Sequence, residues 1–173
     1  MKKSGWVLSG LVLLLFVSAS KLSAQATVTG HVYAEVIEVL AAAENAALNF
    51  GSFSPETQGG TITITPDGSR LSQGTIGMGK GLHNPASFLV SGQDAASFSI
   101  TLPANTIAIT NADGTKFMNV TNWISMPSTT EGLAILDGGS KMVFVGATLN
   151  VGSMNNNPKG LYSGTYSIIF DYN

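Results

Sequence analysis

Residues 160–173 read GLYSGTYSIIFDYN and alternate apolar with polar side chains at the C-terminus of the chain. The apolar, aromatic or glycine positions are Tyr162, Gly164, Tyr166, Ile168, Phe170 and Tyr172. A repeat of two residues is typical of a strand with one buried face. The pattern therefore predicts a terminal β-strand that either closes the protein's own sheet or pairs with another chain.

Short segments bounded by Gly, Pro, Asn or Asp predict strands along the rest of the chain. Residues 27–40 alternate and predict a first strand. Residues 41–47, AAAENAA, favour a helix by propensity but are too few for a stable one, so we interpret them as a helical turn or a loop. Further strands are predicted where the sequence reads GGTITIT (59–65), ASFLVSG (86–92), SFSITLP (97–103), NTIAIT (105–110), KFMNVTNWIS (116–125) and KMVFVGATLNVG (141–152).

Turn residues separate several of these segments. Pro66, Asp67 and Gly68 predict a hairpin corner, because proline presets φ and glycine accepts a positive φ. Residues 111–115, NADGT, predict a second turn. The glycine-spaced residues 74–85 have no steady period, and we interpret them as a loop or as a twisted edge with bulges.

The predicted strands are short and many. In residues 116–125, Met118, Val120 and Ile124 are expected on one face, and residues 141–152 are expected to form a long hairpin with the terminal strand. The apolar face of that hairpin would carry Val143, Val145, Ala147, Leu149 and Val151. About eight or nine short strands without a long helix predict an all-β, immunoglobulin-like β-sandwich, with an up-and-down barrel as the alternative.

The first residues predict export. Lys2 and Lys3 precede an apolar run from Val7 to Val17 that is too short to span a bilayer. We interpret residues 1–26 as a signal peptide, cleaved after Ala24 or Ala26, and residues 27–173 as one β-sandwich domain. The expected location is the periplasm, the cell surface or the medium.

Composition limits the classes of partner that the protein is expected to bind. Cleavage reduces the basic residues from 8 to 5 against 10 acidic residues, a net charge of about −5, so nucleic acid is not expected as a partner. No membrane span is expected in the mature protein. Because the chain contains no cysteine, its stability has to come from packing and strand pairing.

Residues with catalytic or metal-binding chemistry are few and scattered. His31 and His83 have no other plausible ligand near them in sequence, and Glu35 and Glu38 lie three residues apart, on opposite faces of a strand. The turns at Asp67 and at residues 111–115 lack the full ligand series of a calcium loop. We therefore expect no catalytic residues, no metal site, no cofactor and no enzymatic activity.

Two resemblances concern the C-terminal strand and the mature chain. The strand resembles that of chaperone–usher pilus subunits, with a penultimate tyrosine at Tyr172 and a glycine fourteen places from the end at Gly160. The motifs LNFGSF, GGTITITPDGSR, PASFLVSG, FSITLP, VGATLNVG and GLYSGTYSIIFDYN are similar to those of a bacterial family, domain of unknown function four-four-zero-two, related to spore coat protein U domains. The resemblance implies an exported, pilin-like domain without known enzymatic activity.

The resemblance also implies roles for both ends of the chain. A periplasmic chaperone would bind the face formed by Tyr166, Ile168, Phe170 and Tyr172, with Gly160 at the approach to the strand. A donor segment that fills the sheet of another subunit would use Val28, Gly30, Val32, Ala34 and Val36. Residues 27–40 would then have to serve as both first strand and donor, and the cysteine pair often found in pilus subunits is absent.

These observations favour an exported structural protein, a cell-surface or pilus-like subunit that associates through its terminal β-strands. Its partners would be further copies of itself, or a pilus-type chaperone and pilus subunits. The alternative is a monomeric exported module that binds a glycan or another ligand through aromatic residues such as Trp123 and Tyr162.

Signal-peptide cleavage can be tested directly. When the complete gene is expressed in a bacterial host, we expect the purified protein to begin at Gln25 or Thr27, because small residues precede both bonds. Intact-mass measurement and N-terminal sequencing check this. A product that retains Met1 and remains in the cytoplasm would contradict the prediction.

Overall fold

A computed structural model describes residues 25–129 and 134–173. Within these ranges the protein is all-β, contains no helix and has a β-sandwich-like fold. Most of the predicted signal peptide, residues 1–24, lies outside the described residues. The strands are β1 (Ala41–Ala46), β2 (Phe53–Ile64), β3 (Arg70–Met78), β4 (Ala86–Ser91), β5 (Ser97–Thr101), β6 (Ile107–Asn111), β7 (Phe117–Met126), β8 (Ala134–Ile135), β9 (Ser140–Val151), β10 (Tyr162–Ser163) and β11 (Ile169–Tyr172).

The larger sheet is built on β9, and all its strands are antiparallel. On one side β9 pairs with β7, which continues to β6 and β10. On the other side its first half pairs with β4 and then β1, and its second half pairs with β2 and then β3. Gly146 lies between these two halves, where a Cβ atom would collide with the carbonyl oxygen of Ile64. The change of partner along β9 therefore depends on a residue without a side chain.

A smaller sheet, in the order β11-β5-β8, covers one half of the larger sheet. Phe98 of β5 is fully buried and contacts the ring of Phe170 in β11, with 6.2 Å between ring centroids. This half is a two-layered core of the kind that stabilises β-sandwiches. Its buried residues, drawn from β4 and β9 on one side and from β5 and the β8 region on the other, are Ala86, Val90, Phe98, Ile100, Ala134, Leu136, Val143 and Val145.

The other half of the larger sheet has a different cover. No residue of β5, β8 or β11 belongs to its buried cluster. Phe50, from the segment between β1 and β2, packs there instead. The second sheet of the sandwich thus stops partway along β9. The residues of this second cluster are Phe50, Ile62, Ile64, Met118, Val120, Ala147, Leu149 and Val151.

Most strands predicted between residues 59 and 151 are confirmed. The five alternate apolar residues of β9 are all buried, and β2 and β3 form the predicted hairpin. At its corner Gly68 has φ of 88°, and Asp67 accepts a hydrogen bond from the Ser69 amide at 3.0 Å. The prediction of an edge is confirmed for residues 74–78, since β3 pairs only with β2 among the described residues. The irregularity of this pair lies in β2 rather than in residues 74–85, because the register shifts between Pro55 and Gly59.

Two predictions near the N-terminus are wrong. Residues 27–40 lie in no strand, and the unit that contains all eleven described strands is Val36–Asn173. The alanine-rich segment, interpreted as a helical turn or loop, is strand β1 and pairs with β4. Pairing with an available edge outweighs the intrinsic helix preference of alanine, whereas alternation without a neighbouring strand does not produce one.

Two predictions about faces and pairing are also wrong. A bulge between Thr121 and Ile124, where Asn122 has φ of 51°, turns Ile124 outward and Trp123 toward the core. The long hairpin between β9 and the terminal strand is absent, because β10 pairs with β6 and β11 pairs with β5. Side chains of the terminal segment still alternate between exposed and partly buried, as predicted. The segment is divided between the two sheets, with β10 in the larger and β11 in the smaller. The described strands number eleven rather than eight or nine, because the terminal segment forms both β10 and β11 and because the two-residue strand β8 was not predicted.

The two-layered core can be tested by truncating a ring. Phe98→Ala removes a fully buried phenyl group and should lower the free energy of unfolding by about 3–5 kcal/mol, measured by urea denaturation. The matched control is Phe117→Ala, whose ring is 59% exposed, with an expected change within about 0.5 kcal/mol. Equal losses for the two variants would contradict this placement of the core.

Candidate functional site

An open groove lies over the half of the larger sheet that the smaller sheet does not cover. Its floor is formed by apolar residues of β6, β7 and β9, including Ile109, Val120 and Leu149. Its volume is about 860 Å³, within the range of roughly 300–1,000 Å³ that ligand sites occupy. The groove is therefore large enough for a peptide segment or a ligand of moderate size.

One border of the groove is the segment of residues 47–55, between β1 and β2. Asn49 exchanges backbone hydrogen bonds with Asn84 at 2.9 and 3.0 Å. The Arg70 guanidinium donates to the carbonyl oxygens of Phe50 at 3.2 Å and Gly79 at 3.0 Å. These contacts hold the segment from the side of β3 and the residues that follow it. Leu48 and Phe50 pack on the core and also line the groove.

The other border is the segment of residues 154–166. The buried Asn157 holds its start, because Oδ1 accepts from the Gly152 amide at 2.5 Å and Nδ2 donates to the Phe117 carbonyl at 2.9 Å. The Tyr162 hydroxyl donates to the Pro158 carbonyl at 3.0 Å. These side-chain bonds fix a border that has little regular secondary structure.

Each border includes a short stretch of strand edge, residues 53–55 of β2 on one side and β10 on the other. β10 pairs with β6 on one side, and residues 164–168, which follow it, belong to no strand. In the described part of the chain no strand occupies the space between this edge and residues 47–55. Backbone edges of this kind bind an added strand through ladder hydrogen bonds.

Trp123 and Tyr166 pack against each other at one end of the groove, with ring centroids 4.5 Å apart. The indole Nε1 and the Tyr166 hydroxyl are both buried, and neither has a hydrogen-bond partner among the described residues. A buried polar atom without a partner costs about 1–3 kcal/mol. Both atoms are therefore unfavourably placed in the structure as it stands.

The hydroxyl of Tyr166 is also the most perturbed titrating group. Burial, and secondly the negative charge of Glu44 in β1, raise its pKa to about 12. Both causes disfavour the phenolate, so Tyr166 carries its proton throughout the physiological range. It is available there as a hydrogen-bond donor.

The predicted C-terminal site residues separate into two groups. Gly160 and Tyr166 line the groove, and Tyr166 also packs against the two-layered core. Ile168, Phe170 and Tyr172 pack instead against the protein's own two-layered core. The Tyr172 hydroxyl donates to the Glu38 carbonyl at 3.0 Å and accepts from the Gln93 amide at 2.7 Å.

The predicted donor residues are exposed. Val28, Val32 and Val36 have exposed fractions of 88%, 95% and 97%. Gly30 and Ala34 are also exposed, and none of the five residues lies in a strand. This apolar, alternating segment is therefore free to pair.

Other candidate residues do not form a site. His31, His83, Glu35 and Glu38 are all exposed, and no three His, Cys, Asp or Glu side chains in residues 25–129 and 134–173 could hold a metal together. The same ranges hold no helix of the length and apolarity needed to cross a bilayer. The structure does bring Trp123 and Tyr162 to one groove, although no sequence pattern indicated that they lie close together.

The raised pKa of Tyr166 predicts a pH dependence of stability. Between about pH 10 and 12 the unfolded chain releases the Tyr166 proton while the folded chain keeps it, so stability should fall as the pH rises through this window. Stability measured by urea denaturation across that window should fall less steeply in Tyr166→Phe. The ionisation with a pKa of about 12 seen by ultraviolet absorbance should be lost in Tyr166→Phe. Identical titrations of the wild type and the variant would refute the assignment.

Comparison with known proteins gives one match. No curated protein and no solved structure matches the chain. A family model described as "Domain of unknown function (DUF4402)" matches residues 40–172, a span from the residue before β1 to the end of β11. The matched span includes both β-sheets and both borders of the groove. The chain therefore belongs to the DUF4402 family.

Proposed function

We propose that the protein is an exported structural subunit of the cell surface or of a pilus-like assembly. Residues 27–36 of one copy insert as a strand into the groove of the next copy. The observation that carries this proposal is the pair of unoccupied edges bordering an apolar groove of about 860 Å³. The exposed alternation of the N-terminal segment supplies the complementary partner.

The chemistry of the two surfaces is complementary. As a strand, the segment would direct Val28, Val32 and Val36 toward the apolar floor and leave Thr29 and His31 in water. Burial of three valine side chains contributes at most about 4–9 kcal/mol. Association costs at least about 4 kcal/mol in lost freedom, so side-chain burial alone roughly offsets it. The ladder hydrogen bonds to both edges, at about 0.5–1.5 kcal/mol each, provide the remaining stabilisation.

The resemblance to chaperone–usher pilus subunits and spore coat protein U domains supports the same mode of assembly. In this proposal a periplasmic chaperone occupies the groove before assembly and binds beside Gly160 and Tyr166. Ile168, Phe170 and Tyr172 contribute indirectly, because their packing against the two-layered core holds the C-terminal segment in place.

A second candidate function is a monomeric exported module for a glycan or another ligand. The observation that favours it is the presence of Trp123 and Tyr162 on the same groove. Aromatic side chains combine apolar area with a polar atom, which suits ligands that bear hydroxyl groups. The two functions differ in oligomeric state, since the second needs no contact between copies.

Assembly can be tested on the mature protein by light scattering coupled to size-exclusion chromatography. We expect oligomers that grow with concentration in the micromolar range. Val28→Asp with Val32→Asp should give a monomer, because two carboxylates would have to enter an apolar groove. Its unfolding midpoint in urea should match that of the wild-type monomer, since both valines are exposed.

The matched control is Thr29→Asp with His31→Asp, which places the same charges on the other face of the same segment. This variant should assemble far better than the first. A wild-type protein that stays monomeric at every concentration would refute the assembly. Binding in a glycan array that is lost in Trp123→Ala would then support the second function.

A further inference from the structure

Trp123 and Tyr166 are residues of the groove whose buried polar atoms have no hydrogen-bond partner among the described residues. Each contributes a hydrogen-bond donor to a site otherwise floored by aliphatic side chains. In folded proteins nearly all buried polar side-chain atoms have a partner. Two buried donors without partners, on two rings in contact, are therefore an unusual feature of this groove.

The two rings are in contact, and the donors of both are buried. The ring centroids lie 4.5 Å apart with an interplanar angle of 39°, and both polar atoms are buried. An acceptor from outside can reach such buried atoms only after neighbouring groups move. Tyr166 lies within residues 164–168, which belong to no strand, so its backbone is not held by a ladder.

We infer that the Trp123–Tyr166 pair is a latch that opens when a strand enters the groove. This inference rests on the proposed function and specifies how the same site responds to its occupant. The entering segment is residues 27–36 of a second copy. Its backbone carbonyl groups are the acceptors that pair with Nε1 of Trp123 and the hydroxyl of Tyr166 once the rings part.

The energetic consequence is a difference between the empty and the filled groove. The empty subunit bears the cost of two unsatisfied donors, and the filled subunit does not. A ligand shifts a conformational equilibrium only through such a difference in interaction between the two states. The two unsatisfied donors therefore lower the stability of the free subunit. The free energy recovered when they gain partners favours assembly by the same amount.

Tyr166→Phe separates a latch from a purely structural contact. The variant keeps the ring and removes one unsatisfied hydroxyl, so the free monomer should unfold at a higher urea concentration than its parent. Binding of the segment should weaken, by about 3- to 10-fold, the effect of losing one net hydrogen bond. A merely structural residue would not change stability and affinity in these opposite directions.

Tyr162→Phe is the matched control. Tyr162 lines the same groove, but its hydroxyl already donates to the Pro158 carbonyl at 3.0 Å. Its removal should therefore lower the stability of the monomer, the opposite sign to Tyr166→Phe. Equal signs for the two variants would overturn the latch.

The experiment uses the full-length Val28→Asp, Val32→Asp chain as the receptor and a labelled synthetic peptide of residues 27–37 as the probe. Anisotropy of the label gives the dissociation constant with and without Tyr166→Phe. After signal cleavage Trp123 is the sole tryptophan, because the other one is Trp6, so its fluorescence reports on the latch. We expect the emission of Trp123 to change as the peptide binds.

The outcomes separate the latch from the proposed function. If the peptide does not bind, the strand-insertion function fails and the latch fails with it. If the peptide binds but Trp123 emission stays constant and Tyr166→Phe binds equally well, strand insertion stands and the latch alone is overturned.

Discussion

The inner face of β9 has to be covered along its whole length, and no single element covers it. Val143 and Val145 lie under the smaller sheet, whereas Leu149 and Val151 belong to the cluster beneath the groove. A buried strand of this length needs a second layer of similar length, because each exposed apolar side chain forgoes about 1.5–3 kcal/mol. The groove exists because the three-stranded layer ends before β9 does.

The same division determines how the larger sheet is assembled. β9 changes partner from β4 to β2 at Gly146, and on its other side a bulge at Asn122 shifts β7 at nearly the same level, since Ile124 pairs with Gly146. The bulge directs Trp123 into the interior at the junction, where it packs against both buried clusters. Trp123 therefore lies at the boundary between the two-layered core and the groove. Tyr166 lies at the same boundary, and the two rings are in contact there.

The local pattern of the sequence predicts much of this fold and little of the site. Alternation in residues 141–152 identifies the buried face of β9 because a strand's period is a property of its own backbone. Pairing partners depend on distant residues, and so the predicted hairpin between β9 and the terminal strand is wrong, as is the inward face assigned to Ile124. Residues 47–55 and 154–159 of the groove borders lack a steady period, and no local pattern predicts that these segments lie on the same groove.

The alanine-rich and N-terminal segments show why alternation alone does not identify a strand. Residues 41–46 have no apolar alternation and nevertheless form β1, because the edge of β4 is adjacent to them. Residues 27–36 alternate clearly and remain outside every described strand, with Val32 95% exposed. A strand needs a partner edge as well as a pattern. In this molecule the unpaired pattern lies in the N-terminal segment and the unpaired edges border the groove, so each provides what the other lacks. In the proposed assembly, a second copy would bring them together without requiring any change in the strands already formed.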